Sequence, residues 1–323
     1  MAYRTQPHAI FPKEIEIEIV SDVSAVTGDT PFKVVDVLDT TAKFDRDWFV
    51  EHCGDVVVSC STDIKETIEI CPTFGRVFIQ LRDYLDYLYS SSPMPGFFMY
   101  LYQQPIAAMP ALSEFAQCPA KLRNDRLWGE THSVNLWIGN EGKCAGTHFD
   151  MSDNFQLVLH GEKRFVLFPP ETNMYELGIN RQSAIPKIAE VDAERYPDLQ
   201  HAQPYSTLVR SGEAIYIPFG WWHTVENCTY SYAINFWIHP AASQRAYYGA
   251  KLVCKALGFV ASVFEVVWGA IDFILRDALF YVPWFFMPRR FDMRWPQRIA
   301  RTVKESFAPE LPKKAPAAKE ELL

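Results

Sequence analysis

The stretch Cys144–Pro170 reads CAGTHFDMSDNFQLVLHGEKRFVLFPP, and it decides how the rest of the chain folds. It holds His148 and Asp150 as an H-x-D pair, then Asn154, then Lys163. Two apolar runs, Asn154–Leu159 (NFQLVL) and Arg164–Phe168 (RFVLF), flank HGEK. Gly161 supplies the turn, so the stretch is predicted to be a hairpin with Lys163 at the start of the return strand. Along a strand, residues i and i+2 point the same way, so His148 and Asp150 face one cavity. One strand cannot surround an ion, so a third ligand must come from a distant one. Ser211–Val225 (SGEAIYIPFGWWHTV) supplies it: an apolar strand, a Pro-Phe-Gly-Trp-Trp turn, then His223.

Two imidazoles and one carboxylate suit Fe(II), and three ligands on one face leave positions open for a chelating co-substrate and dioxygen. The pattern is therefore that of a two-His, one-carboxylate iron site. A lysine on a strand between apolar residues either snorkels to water or meets a buried anion. Composition alone favours the first reading for Lys163. Arg164, next on the strand, is expected to point the opposite way into solvent.

The combined pattern T-H-F-D, N-F, G-E-K-R-F-V-L-F-P-P, G-E-A-I-Y-I-P-F-G-W-W-H and N-F-W resembles the JmjC (cupin-like) Fe(II)/2-oxoglutarate oxygenases. Within them it is most similar to the asparaginyl hydroxylase that inhibits hypoxia-inducible factor and to its smaller relatives. The likeness covers Phe97–Pro240. It implies a mainly β fold, a double-stranded β-helix (jelly-roll) barrel with N-terminal elements and C-terminal helices around it. It implies Fe(II) on His148, Asp150 and His223, and 2-oxoglutarate as co-substrate. The matching lysine, Lys163, pairs with the distal carboxylate, which reverses the reading from composition. Asn154 and Asn235 match residues near the metal end of the co-substrate. A tyrosine from the Gly96–Gln104 strand reaches it too, and either Tyr102 or Tyr100 matches, with plain aromatic packing as the competing reading for each. One position departs from the family: Ala145 stands where its threonine contributes to co-substrate binding, and Thr147 need not face the pocket.

The implied reaction is hydroxylation of a C–H bond, first on a protein side chain. A small molecule, a modified tRNA base, or a non-catalytic cupin-like binding role are the alternatives. Lysine demethylation is disfavoured, because no histone-reading or zinc module accompanies the barrel.

Composition sets outer limits. The chain has 323 residues, 49% of them hydrophobic and 15% aromatic, enough for a sizeable core. A net charge of −8 argues against a nonspecific grip on nucleic acid. Seven scattered cysteines without a C-x-x-C read as free thiols in a reducing compartment. The first twenty residues carry no apolar signal core, so a cytoplasmic or nuclear location is expected.

Four regions are expected. Residues 1–96 hold elements flanking the barrel: a loose lead-in to residue 13, an alternating strand over Glu14–Val20 (EIEIEIV) with solvated glutamates, strands over Thr30–Leu38 and Asp55–Ser59, and a helix over Phe44–Cys53. A further helix over Arg76–Tyr89, capped by Thr73, is predicted to bury Val77, Phe78, Leu81, Tyr84, Leu85 and Leu88. Residues 97–240 form the barrel, with Asn135 and Trp137 on one side of the His132–Gly139 strand. Within it, Glu171–Ser206 is an insert, either a substrate-facing lid or a connecting loop. Residues 241–308 read as apolar helices, expected to pack or to form a homodimer, since relatives dimerise there. Glu265 and Asp272 weigh against a membrane span, and membrane association, helped by Tyr281–Phe286 and Arg289–Arg290, is the disfavoured alternative. Residues 309–323 are expected to be disordered.

Overall fold

In the computed structural model, residues 4–38, 44–63, 67–68, 76–90, 98–124, 128–129, 131–176 and 181–239 are described. The expected C-terminal helices, the tail and the Thr73 cap lie outside them. The strands are β1 (Ile15–Glu16), β2 (Phe32–Val34), β3 (Val57–Asp63), β4 (Thr67–Ile68), β5 (Arg76–Gln80), β6 (Phe98–Pro105) and β7 (Thr131–Gly139). They continue as β8 (Cys144–Phe149), β9 (Asp153–His160), β10 (Glu162–Phe168), β11 (Tyr205–Arg210), β12 (Ala214–Ile217), β13 (Trp222–Asn227) and β14 (Ser231–Ile238). The α-helices among the described residues are α1 (Arg46–Cys53) and α2 (Leu81–Leu88), and short 3-10 turns such as Pro110–Phe115 and Pro197–His201 join them. No described helix is long and apolar enough to cross a membrane.

The strands form a six-stranded sheet, β1-β11-β10-β13-β8-β4, and an eight-stranded sheet, β2-β12-β9-β14-β7-β6-β3-β5. This is the expected jelly-roll architecture. From β7 to β14 the chain changes sheet at every step except β10 to β11, and the change between β9 and β10 corrects the predicted hairpin. β9 pairs with β12 and β14, whereas β10 pairs with β11 and β13. Gly161 therefore carries the chain from one sheet to the other, with φ of +83°. β11 and β12 part in the same way at the Ser211–Gly212 turn.

Strand alternation sorts the side chains into three layers. Val158, Phe165, Leu167, Val209, Ile215, Ile217 and Ala233 meet between the sheets. On the outer face of the large sheet, Leu136, Ile138, Phe155, Leu157, Ile234 and Phe236 pack against Phe49 of α1 and Tyr84 and Leu85 of α2. On the outer face of the small sheet, Val166, Phe168, Phe149 and Trp222 are covered by the insert, through Tyr175, Ile185, Tyr196 and Leu199. The described part of the insert is thus a packed cover, and Thr147 is buried beneath it, its backbone N–H donating to Pro186. Strands buried on both faces explain why NFQLVL and RFVLF read as near-continuous apolar runs.

Several local expectations change. Arg76–Gln80 is an edge strand paired with β3, and only Leu81–Leu88 is helical. Phe78 is consequently 74% exposed instead of in the core. The EIEIEIV segment shortens to a two-residue strand and an isolated bridge from Ile19 to Lys33, with Ile17 buried and Ile15 and Ile19 exposed. Its glutamates are not simply solvated: Glu14 forms an ion pair with Arg164, and Glu16 accepts a hydrogen bond from the Thr207 hydroxyl. Arg164, expected in solvent, is 8% exposed, because the N-terminal segment crosses the outer face where it points. The lead-in is also anchored: Thr5 donates its N–H and hydroxyl to buried Glu226.

Candidate active site

The inward-facing residues of both sheets enclose a cavity lined by Tyr100, Tyr102, Asn154, Lys163, His148, Asp150, His223 and Asn227 among others. The small sheet supplies the metal-ligand types. His148 lies near the end of β8 and Asp150 just beyond it, while His223 sits opposite His148 in register on β13. One donor atom from each of the three lies within 4.8 Å of the others, and His223 Nε2 is 3.8 Å from Asp150 Oδ2.

The backbone sets the tautomers. His148 Nδ1 is 2.7 Å from the Gly146 carbonyl oxygen, and His223 Nδ1 is 3.0 Å from that of Trp221. A carbonyl only accepts, so each Nδ1 carries a proton and donates it, which leaves Nε2 as the nitrogen that can ligate a metal. Burial, and then the neighbouring His223, push the His148 imidazole down to about 3, so it stays neutral. The turn before His223 is held as well: Gly220 N–H donates to the Asp150 carbonyl, and Phe219 N–H to Asp153 Oδ1 at 2.8 Å. This donor set, two imidazole nitrogens and a carboxylate oxygen with fixed orientations, fits a divalent metal such as Fe(II).

A bulge brings a further position to the wall. Between β8 and β13, two residues (Gly146 and Thr147) oppose one (Thr224), so Ala145 and His148 both face inward. Lys163 enters from β10. It is 1% exposed, and its Nζ donates to Asn227 Oδ1 at 2.8 Å. Burial pushes its ammonium down to about 7. On the large sheet, Asn154 Oδ1 accepts from Asn235 Nδ2, and Asn235 Oδ1 accepts from Trp137 Nε1 at 2.7 Å and from Asn135 Nδ2.

Residues 73–244 match the cupin-like domain family. The chain belongs to that family. This cupin-like chain is 27% identical over 173 residues to Jumonji C domain-containing protein 5 of Drosophila melanogaster, covering 51% of the chain and 43% of that protein. It is 28% identical over 134 residues to tRNA wybutosine-synthesizing protein 5 of Gallus gallus, covering 41% of each. It is 30% identical over 129 residues to the bifunctional peptidase and (3S)-lysyl hydroxylase JMJD7 of Homo sapiens, covering 32% of the chain and 41% of that protein. The chain spans about two fifths of the length of these relatives. They agree with the JmjC oxygenase resemblance, and His148, Asp150 and His223 are the candidate metal site of the cupin-like barrel.

Of the residues singled out in the sequence, the cavity wall holds His148, Asp150, His223, Lys163, Asn154 and both Tyr100 and Tyr102. Asn235 and Asn135 are buried and linked to that wall through Asn154 and Trp137. The two tyrosine rings run parallel with centroids 6.2 Å apart. Tyr102 accepts a hydrogen bond from Arg76 at 2.9 Å, and Tyr100 packs nearer Asn227, beside Gly139. Trp222 and Trp221 fill outer and inter-sheet cores and do not wall the metal site. Sequence reading missed Gln103, Gln156, Trp237 and Asn227. Asn227 was within reach, since alternation from His223 puts residues 225 and 227 on the same inward face. Gln103 was not, because it faces the cavity through a register shift in β6 and a φ of +52°.

Proposed function

We propose that this cupin-like chain is an Fe(II)- and 2-oxoglutarate-dependent oxygenase that hydroxylates a C–H bond, with a protein side chain as the first substrate class. The observation that carries the reading is the buried Lys163 sharing one cavity with His148, Asp150 and His223. A cation taken out of water without a carboxylate partner among the described residues is a site for an anion. A metal beside it favours a chelating 2-oxo acid. His148, Asp150 and His223 would hold Fe(II), Lys163 the distal carboxylate, and Asn154, backed by Asn235, the metal end. Tyr102 or Tyr100 would complete the co-substrate pocket.

With both groups bound, the chemistry supplied is oxidative decarboxylation of 2-oxoglutarate to succinate and CO2, with one oxygen atom of O2 ending as the hydroxyl of the product. The chain's own part is to hold the ligand imidazoles in one tautomer, exclude water between the sheets, and orient the bond. The likeness to a lysyl hydroxylase supports a protein substrate. The likeness to a wybutosine-synthesizing protein supports a modified tRNA base as the second reading.

Anaerobic spectroscopy with Fe(II) and 2-oxoglutarate tests the proposal. The expected result is a weak visible metal-to-ligand charge-transfer band in the wild type, lost in His148→Ala and weakened in Lys163→Ala. A wild type that binds neither iron nor 2-oxoglutarate leaves the binding-protein reading in its place. A substrate search by mass shift in peptides and tRNA then separates the substrate classes.

A further inference from the structure

Lys163 Nζ has a single side-chain acceptor among the described residues, the carboxamide oxygen of Asn227. Lys163 and Asn227 face each other in register on β10 and β13, both pointing inward. The neighbouring wall positions Ala145 and Val225 have no hydrogen-bonding side chain. The carboxamide is itself fixed. Its Nδ2–H donates to the Asn140 carbonyl at 3.2 Å, which turns Oδ1 toward the lysine. The Asn227 backbone is held on both sides, its N–H donating to Lys143 and its carbonyl accepting from Gly142. Gly139 leaves the room: a Cβ there would come within 2.6 Å of Asn227 Nδ2.

We propose that Asn227 is the positioning residue of the dicarboxylate pocket, aiming the Lys163 ammonium into the cavity while leaving its charge uncompensated for an incoming carboxylate. The inference rests on the oxygenase reading above and names a residue that reading does not use. The residue type follows from the physics. An amide oxygen orients an ammonium through a hydrogen bond, yet it carries no charge to neutralise it. A carboxylate at the same place would pair with Lys163 internally and compete with the ligand. An apolar residue would leave the long lysine side chain free to choose other rotamers, which weakens any ligand that needs one of them.

The test compares binding of 2-oxoglutarate with that of 2-oxobutyrate, which keeps the 2-oxo acid end and lacks the distal carboxylate. Binding is followed anaerobically with Fe(II) for the wild type, Asn227→Ala and Asn227→Asp. The expected result is about tenfold weaker 2-oxoglutarate binding in Asn227→Ala and about a hundredfold in Asn227→Asp, with 2-oxobutyrate affinity and Fe(II) binding unchanged. Loss confined to the dicarboxylate is a signature that a merely structural role does not produce. Equal losses for both acids in both variants, or a 2-oxoglutarate affinity within twofold of wild type in both, overturn the assignment and leave the oxygenase reading standing. A wild type that binds neither acid overturns the oxygenase reading and the assignment with it.

Discussion

Lys163 concentrates the energetics of the site in one residue. Its ammonium is buried, its partner is a neutral amide, and burial holds its titration down at about 7 against an ordinary 10.5. The sign of the linkage follows. Between pH 7 and 10.5 the unfolded chain binds a proton at this lysine that the folded, ligand-free chain does not. Stability of the ligand-free protein therefore gains up to about 1.4 kcal/mol per pH unit from this group as pH rises through that window. On the proposed 2-oxoglutarate reading a dicarboxylate would restore the charge, so binding above pH 7 would take up a proton. The 2-oxoglutarate dissociation constant is expected to rise by up to about tenfold per pH unit above 7. Calorimetry at pH 8.5 in buffers of different ionisation enthalpy should report proton uptake approaching one per ligand, and Lys163→Met should abolish it. A dissociation constant flat from pH 7 to 9 would place the lysine outside the ligand pocket.

At the scale of elements, the decisive device is the crossing turn between β9 and β10. Gly161 takes the chain from the large sheet to the small one at φ +83°, and a Cβ there would lie 2.1 Å from the Tyr230 carbonyl oxygen. Gly161→Ala is expected to cost at least about 2 kcal/mol, combining the left-handed penalty with that clash. It should weaken 2-oxoglutarate binding as well, because Lys163 lies two residues on. Urea unfolding and ligand titration of the same variant check both effects, and a midpoint within error of wild type counts against the turn being strained. The crossing also marks where sequence reading stopped. The shared inward face of His148 and Asp150 and the common side of Asn135 and Trp137 were legible, because strand alternation is local, while the distal His223 was reached through its motif and the family resemblance. The sheet to which a strand belongs is not local: HGEK has the composition of a hairpin, whether or not its flanking strands hydrogen-bond. Arg76–Tyr89 failed for a related reason. Val77 and Ile79 at period 2 run directly into Leu81, Tyr84, Leu85 and Leu88 at helical spacing, and the join looked like one helix. Arg164 and Glu14, 150 residues apart, carried no local sign of their pairing.

At the scale of the whole molecule, every proposed metal ligand and Lys163 belong to the small sheet or to the loop just after β8. The large sheet closes the cavity from the other side with Asn154, Tyr100 and Tyr102. The outer face of the small sheet is covered by two separate pieces of chain: the insert and the N-terminal segment. Phe11 joins them, its ring centroid 5.3 Å from that of Phe168, within the cluster that includes Phe149 and Trp222, the immediate neighbours of His148 and His223. The adjoining backbone is tied to the insert by the His8 N–H donating to Ile188 and to β13 by Thr5 donating to Glu226. The N-terminal segment thus works as a clasp for the sheet that carries the proposed metal ligands. Phe11 is 7% exposed, so Phe11→Ala is expected to lower unfolding free energy by about 3 kcal/mol. The folded fraction should still bind 2-oxoglutarate within twofold of wild type, since the ring lies on the far side of the sheet from the cavity. Denaturant unfolding paired with ligand titration measures both quantities. A loss under about 1 kcal/mol would mean the insert alone secures the small sheet, and a large loss of affinity in the folded protein would mean the clasp reaches through the sheet to the ligands themselves.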